Sequence, residues 1–176
     1  PGDYVVCEKA QGLTGTWFQG EAGTFSGCAG IDTDLAANGY AVNVTSGDSD
    51  GPLEFGNYRK GDVSVLKYED DDASGTGPTT GEAGLENWPI YVYKVTQGTP
   101  DTYDLVSGFP KNTTADGTLS FKLAPGDYVV CEKAQGLTGT WFQGEAGTFT
   151  GCDDIDAFDL APNGYTVNVT SGDSDG

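Results

Sequence analysis

Apolar and polar residues alternate one by one along this chain, in short runs separated by clusters of Gly, Ser, Thr and Asp. No window sustains an apolar period of 3.6, so the pattern predicts strands and not helices. The predicted strands cover residues 62–69, 88–95, 102–107, 117–123, 127–133, 139–143 and 165–170, with 52–58 closing whatever precedes them. The stretches DDDASGTGPTTGE, TADG and SGDSDG between them carry turn-forming residues. A strand about every dozen residues fits an all-β protein built as a β-sandwich.

The alternation also assigns faces. Val63, Val65 and Lys67 share one side of their strand; so do Tyr128, Val130 and Glu132, and so do Leu53, Phe55 and Asn57. Three apolar faces therefore each end in one polar residue. A Lys or Glu aimed into a core is costly unless it is paired. Two readings stand: the three groups meet inside, or each sits at a strand end with its head group reaching solvent.

Repetition sets the organisation. Residues 1–25 recur without a substitution at 125–149, and NGYAVNVTSGDSDG at 38–51 returns as NGYTVNVTSGDSDG at 163–176. Such copies imply recent duplication of a module about 124 residues long, enough for one small core. The expected division is the C-terminal part of one repeat over residues 1–58 and the next repeat, lacking its last strand, over 59–176. On this register the counterpart of Asn57 falls near position 182, and the Lys that belongs with Glu8 and Asn57 falls before Pro1. A complete Lys–Glu–Asn set then needs either the full-length protein or a strand donated by a neighbouring chain.

Charge narrows the partners. The chain carries 27 acidic and 8 basic residues, a formal charge of −19, and no His or Met. Such a surface repels nucleic acid and anionic membranes and attracts divalent cations. Without His the commonest general base is missing, and there is no G-x-S-x-G element, so hydrolytic chemistry is not expected. The pairs Cys7 and Cys28, and Cys131 and Cys152, are too widely spaced for a C-x-x-C metal or redox motif. Disulfides made in an oxidising compartment are the expectation, against buried free thiols.

Three segments, GDVSVLKYED, ADGTLSFKLAPGDYVVCE and LEFGN, resemble the Cna B-type (prealbumin-like) domains of bacterial surface adhesins and pilins, and the likeness covers essentially a whole module. The resemblance implies Ig-like, prealbumin-like sandwiches in tandem and a spontaneous isopeptide bond. Lys67 would be the nucleophile, Glu132 the proton shuttle and Asn57 the acyl partner, with Glu8 the shuttle of the preceding repeat. An apolar surround disfavours both charges, so a neutral amine can sit beside a carboxylic acid that polarises the carboxamide. The bond forms once, which makes the module a structural or adhesive part and not an enzyme. Its implied partners are neighbouring copies of itself and a host or matrix ligand, at an extracellular surface or in a secreted filament.

The loop at residues 69–82, followed by GLENWPIYVYK, is similar to the calcium-binding entry of the B-type repeats of serine-aspartate adhesins. That likeness implies Ca²⁺ on Asp70, Asp71, Asp72 and Glu82, against a solvated acidic loop. SGDSDG at 46–51 and 171–176 is a weaker cation candidate and reads better as a turn. Asn43, Asn112 and Asn168 stand in N-x-[ST] sequons, and Asn43 and Asn168 point outward on their strands. Trp88 is expected in the core. Trp17 and Trp141 neighbour Phe18 and Phe142, so one ring of each pair must face outward. That outer ring suits packing under the Cys131–Cys152 loop, cover for a neighbouring module, or the sugar platform of a carbohydrate-binding accessory module.

Overall fold

The computed structural model describes residues 1–10, 17–20, 22–47, 49, 51–75, 77–134, 143–144, 147–172 and the backbone of 174–175. Most of the strand expected at 139–143, with Trp141 and Phe142, lies outside the described residues, as do parts of both SGDSDG segments. The protein is all-β, built mostly from antiparallel sheets. It divides into two compact units, Pro1–Lys60 and Gly61–Gly176.

The first unit contains β1 (Gly2–Lys9), β2 (Phe18–Gln19), the short helix α1 (Cys28–Ile31), β3 (Leu35–Val44) and β4 (Asn57–Tyr58). β1 pairs antiparallel with β3 from Gly2↔Val44 to Cys7↔Gly39, then slips to Lys9↔Leu35. β2 pairs with β4 through Phe18↔Tyr58 and Gln19↔Asn57. Only Asn57 and Tyr58 of the strand expected at 52–58 enter a ladder. The residues before them are held by the Tyr40 side chain, whose hydroxyl donates to the Glu54 carbonyl at 2.6 Å and whose ring meets Phe55 edge-on at 5.2 Å.

The second unit contains β5 (Gly61–Leu66), β6 (Pro89–Thr96), β7 (Thr102–Leu105), β8 (Lys111–Asn112), β9 (Thr118–Leu123), β10 (Gly126–Lys133), β11 (Phe149–Thr150), β12 (Leu160–Val169) and β13 (Ser174–Asp175). One sheet runs β11-β12-β10-β6-β7, with β8 also on β6; the other runs β13-β5-β9. β12 starts earlier than the strand expected at 165–170, because Leu160 pairs with Lys133 beyond a bulge. Val63, Leu119, Phe121 and Leu123 of the smaller sheet share one core with Ile90, Val92, Tyr128 and Val130 of the larger. Burial of these side chains is the main stabilising term.

The larger sheet is covered on its other face as well. Tyr91, Tyr93, Val129, Cys131, Cys152 and Leu160 form a second cluster there, with Phe149 and Ile155 packed on it. The Tyr93 hydroxyl donates to Asp156, and burial followed by that carboxylate pushes the phenol well above its ordinary range. A disulfide joins Cys131 to Cys152, with Cα atoms 6.0 Å apart, and another joins Cys7 to Cys28 at 5.9 Å. Gly164 has no room for a side chain: an added Cβ would lie 2.4 Å from the Val130 carbonyl and 2.6 Å from the Cys152 sulfur.

Identical sequence meets different neighbours in the two units. Tyr128, Val129 and Val130 are 4%, 1% and 6% exposed, whereas their copies Tyr4, Val5 and Val6 are 54%, 42% and 38% exposed. β10 lies between β6 and β12, while β1 is paired with β3 alone among the described residues. No helix among the described residues is long and apolar enough to cross a membrane.

Candidate functional site

The polar residues that end the apolar faces do meet, in two pairs. In the second unit the Lys67 ammonium lies 2.9 Å from a Glu132 carboxylate oxygen, with side chains only 20% and 14% exposed. The Lys67 nitrogen also stands 4.8 Å above the Trp88 ring, which is itself buried. In the first unit the Asn57 carboxamide donates to the Glu8 carboxylate at 2.6 Å. Each unit therefore sets the copied Glu against a different group, an amine in one case and a carboxamide in the other.

The bulge that follows each Cys explains why the Glu is available. β10 and β12 pair Cys131 with Gly164 and then Lys133 with Leu160, which leaves Asn163 without a partner on β10, although it still faces Thr150 of β11. Its main-chain groups need other partners. The Gln143 side chain supplies them: its carbonyl accepts from the Asn163 N–H at 3.1 Å and its amide donates to the Asn163 carbonyl at 2.9 Å. The same amide nitrogen donates to the second Glu132 oxygen at 3.1 Å. Gln19 repeats this arrangement on Asn38, with both bonds at 3.0 Å, and reaches Glu8 at 3.4 Å. A glutamine amide takes the place of the main-chain partner lost at the bulge and contacts the carboxylate.

Sequence reasoning missed Gln19, Gln143 and the seat of Lys67 on Trp88. Gln143 lies in a stretch copied whole, so nothing in the text separates it from its neighbours. Only the bulge, a tertiary feature, reveals its task.

Open space adjoins both carboxylates. Beside Lys67 and Glu132 lies a cavity of about 610 Å³, lined by Val65, Leu66 and Lys67, by Gln143 and Gly144, by Ile90 and Val130, and by the acidic residues Glu69, Asp70 and Asp71. Glu8, Gln19, Asn57, Trp17 and Phe18 line a second of about 560 Å³ in the first unit. Trp17 is the outward ring of its pair and carries Arg59 at 5.3 Å, while Phe18 stacks on Tyr58 at 5.6 Å.

In the acidic loop, Asp70, Asp72 and Glu82 each place one carboxylate oxygen within 4.8 Å of the others, and Asp71 is not part of that group. Asp70 accepts from the Ser74 and Gly75 N–H groups at 3.0 and 3.1 Å, Asp72 from Ser74 at 2.9 Å, and Glu82 from Thr79 at 2.6 Å. The Ser74 hydroxyl and N–H hold the Asp72 carboxyl below its ordinary value. The other Glu82 oxygen is buried and has no hydrogen-bond partner among the described residues. Asn43, Asn112 and Asn168 are all exposed. The Asn168 amide donates to Asp127 at 2.7 Å, and Asn43 makes the equivalent bond to Asp3.

No family model, curated protein or solved structure matches the chain.

Proposed function

We propose that this chain is a non-enzymatic structural and adhesive segment of a secreted repetitive protein, a cell-surface stalk or an extracellular filament. On this reading its modules are tandem Ig-like β-sandwiches, stiffened by disulfides and by Lys–Asn isopeptide bonds, with strands exchanged between neighbouring copies. The observation that carries it is the complementarity of the two sites: Lys67 on Glu132 in one unit, Asn57 on Glu8 in the other. Superimposing the copied Glu would bring amine, carboxyl and carboxamide together. The disulfides fit an oxidising compartment.

The step balances without a co-reactant. The Lys67 ammonium passes a proton to the Glu132 carboxylate, leaving a neutral amine beside a carboxylic acid. The amine nitrogen attacks the carboxamide carbon while the acid supplies a proton, and the carbon–nitrogen bond of the carboxamide breaks. An amide forms, ammonium leaves, and Glu132 returns to carboxylate. Strand packing supplies the proximity that the uncatalysed reaction lacks.

Appending the sequence of residues 52–59 after Gly176 tests this reading. The folded, extended chain should lose about 17 Da of intact mass as ammonia, and Lys67→Ala or Glu132→Gln should prevent the loss. An unshifted mass in the folded protein would sink the cross-link.

A second reading, a calcium-stabilised spacer, draws support from the buried Glu82 oxygen that has no partner among the described residues, beside Asp70 and Asp72. Three carboxylates suit a hard cation whose remaining oxygen ligands come from main chain or water. Millimolar Ca²⁺ at 100 times its Kd should then stabilise the second unit by about 2.7 kcal/mol, reversed by chelator and lost in Glu82→Gln. A melting temperature indifferent to Ca²⁺ and chelator would leave the loop a solvated turn.

A further inference from the structure

The first unit shows what sits against the copied Glu and Gln. Asn57 pairs with Gln19 and donates to Glu8, the Gly20 N–H donates to the Gly56 carbonyl at 2.8 Å, and Phe55 and Glu54 are held by Tyr40. The counterparts of these holding residues are present in the second unit. Gln143, Gly144 and Tyr165 all line the cavity beside Glu132, and Tyr165 is 43% exposed.

Part of the lining comes from the strand β5. β5 pairs with β9 along its whole length, from Gly61↔Leu123 to Leu66↔Thr118. On its other edge β13 runs parallel and, among the described residues, is paired only with Asp62 and Val63. Beyond that point Val65, Leu66 and Lys67 border the cavity. A strand that continued in the direction of β13 would run along β5 toward Lys67, into the cavity that Ile90 and Val130 also line.

We propose that this groove is a strand-acceptor site for an extended peptide with the spacing L-x-F-G-N, the pattern of residues 53–57. Its main chain adds to the open part of the β5 edge and to the Gly144 N–H, its Leu and Phe enter the apolar lining, and its Asn carboxamide meets Glu132 opposite Gln143. Main-chain pairing supplies affinity and the alternate side chains supply selectivity, as in other strand-addition interfaces. This deepens the cross-link reading, and rests on it only for the covalent step.

The test uses the full chain and a synthetic peptide of residues 52–59, followed by fluorescence anisotropy and intact mass. Saturable one-to-one binding is expected, weakened about tenfold or more when the peptide carries Phe55→Ala or is scrambled. The chain with the same residues appended after Gly176 should no longer take up peptide. Absence of saturable binding, equal binding of the scrambled peptide, or undiminished binding by the extended chain would each overturn the proposal. Binding with a covalent adduct about 17 Da short of the summed masses supports groove and cross-link together. Saturable, sequence-dependent binding without an adduct supports the groove and removes the cross-link.

Discussion

Lys67→Ala should lower the stability of the second unit by about 2–3 kcal/mol, read as a urea midpoint about 1 M lower. The substitution removes an ammonium 2.9 Å from Glu132, where the carboxylate is 14% exposed. It also strips the cation from the Trp88 face at 4.8 Å. A mostly buried carboxylate deprived of its counter-charge bears its desolvation cost with the Gln143 amide still donating to it. Fully buried pairs lose about 3–5 kcal/mol on losing one member, and the partial exposure here scales that down. Replacing both, Lys67→Met with Glu132→Leu, should restore stability to within about 1 kcal/mol of the parent, because neither charge is then stranded. A silent Lys67→Ala would mean that the two head groups are effectively solvated and that the strand-end reading of these faces is the right one.

Removing the Cys131–Cys152 disulfide, as Cys131→Ala with Cys152→Ala, should cost about 3 kcal/mol on the chain-entropy account. The bridge spans 21 residues of sequence. Both cysteines are among the most buried residues, at 1% and 0% exposure, so truncation also thins the packing around them. Cys152 begins the segment that brings Asp156 to Tyr93 and Phe158 to Tyr91, with those rings 5.4 Å apart. Near-ultraviolet circular dichroism should therefore lose tyrosine signal before the far-ultraviolet strand signal falls. Coincident loss of both, or a stability change under about 0.5 kcal/mol, would show that the segment is held by packing alone.

Much of the site was legible in the text. Period-two alternation placed Lys67 with Val63 and Val65, and Glu132 with Tyr128 and Val130, because side-chain direction in a strand follows from position parity. Val63, Tyr128 and Val130 are indeed buried, and Lys67 meets Glu132. The Cys spacing likewise anticipated two local bridges. The acidic loop was legible only in part: Asp70, Asp72 and Glu82 converge, but the intervening Asp71 does not.

Strand limits were less legible. Residues 52–58 read as one strand, yet among the described residues only Asn57 and Tyr58 enter a ladder, and the Glu54 carbonyl accepts from the Tyr40 side chain. The Gln143 clamp was not legible at all. It answers a need created by the bulge between Cys131 and Lys133, and a bulge exists only once two strands have paired.

The sequence by itself determined which residues share a face, where turns break the strands, which cysteines are neighbours, and that the chain is written partly twice. Those properties are local, or follow from one strand's geometry. The tertiary structure alone decided what the faces meet. The run Tyr-Val-Val is buried at 128–130 and exposed at 4–6, though the letters are the same, because burial belongs to the neighbours a strand acquires and not to the strand. By the same logic two copies of one glutamate hold different partners, a lysine at Glu132 and an asparagine at Glu8.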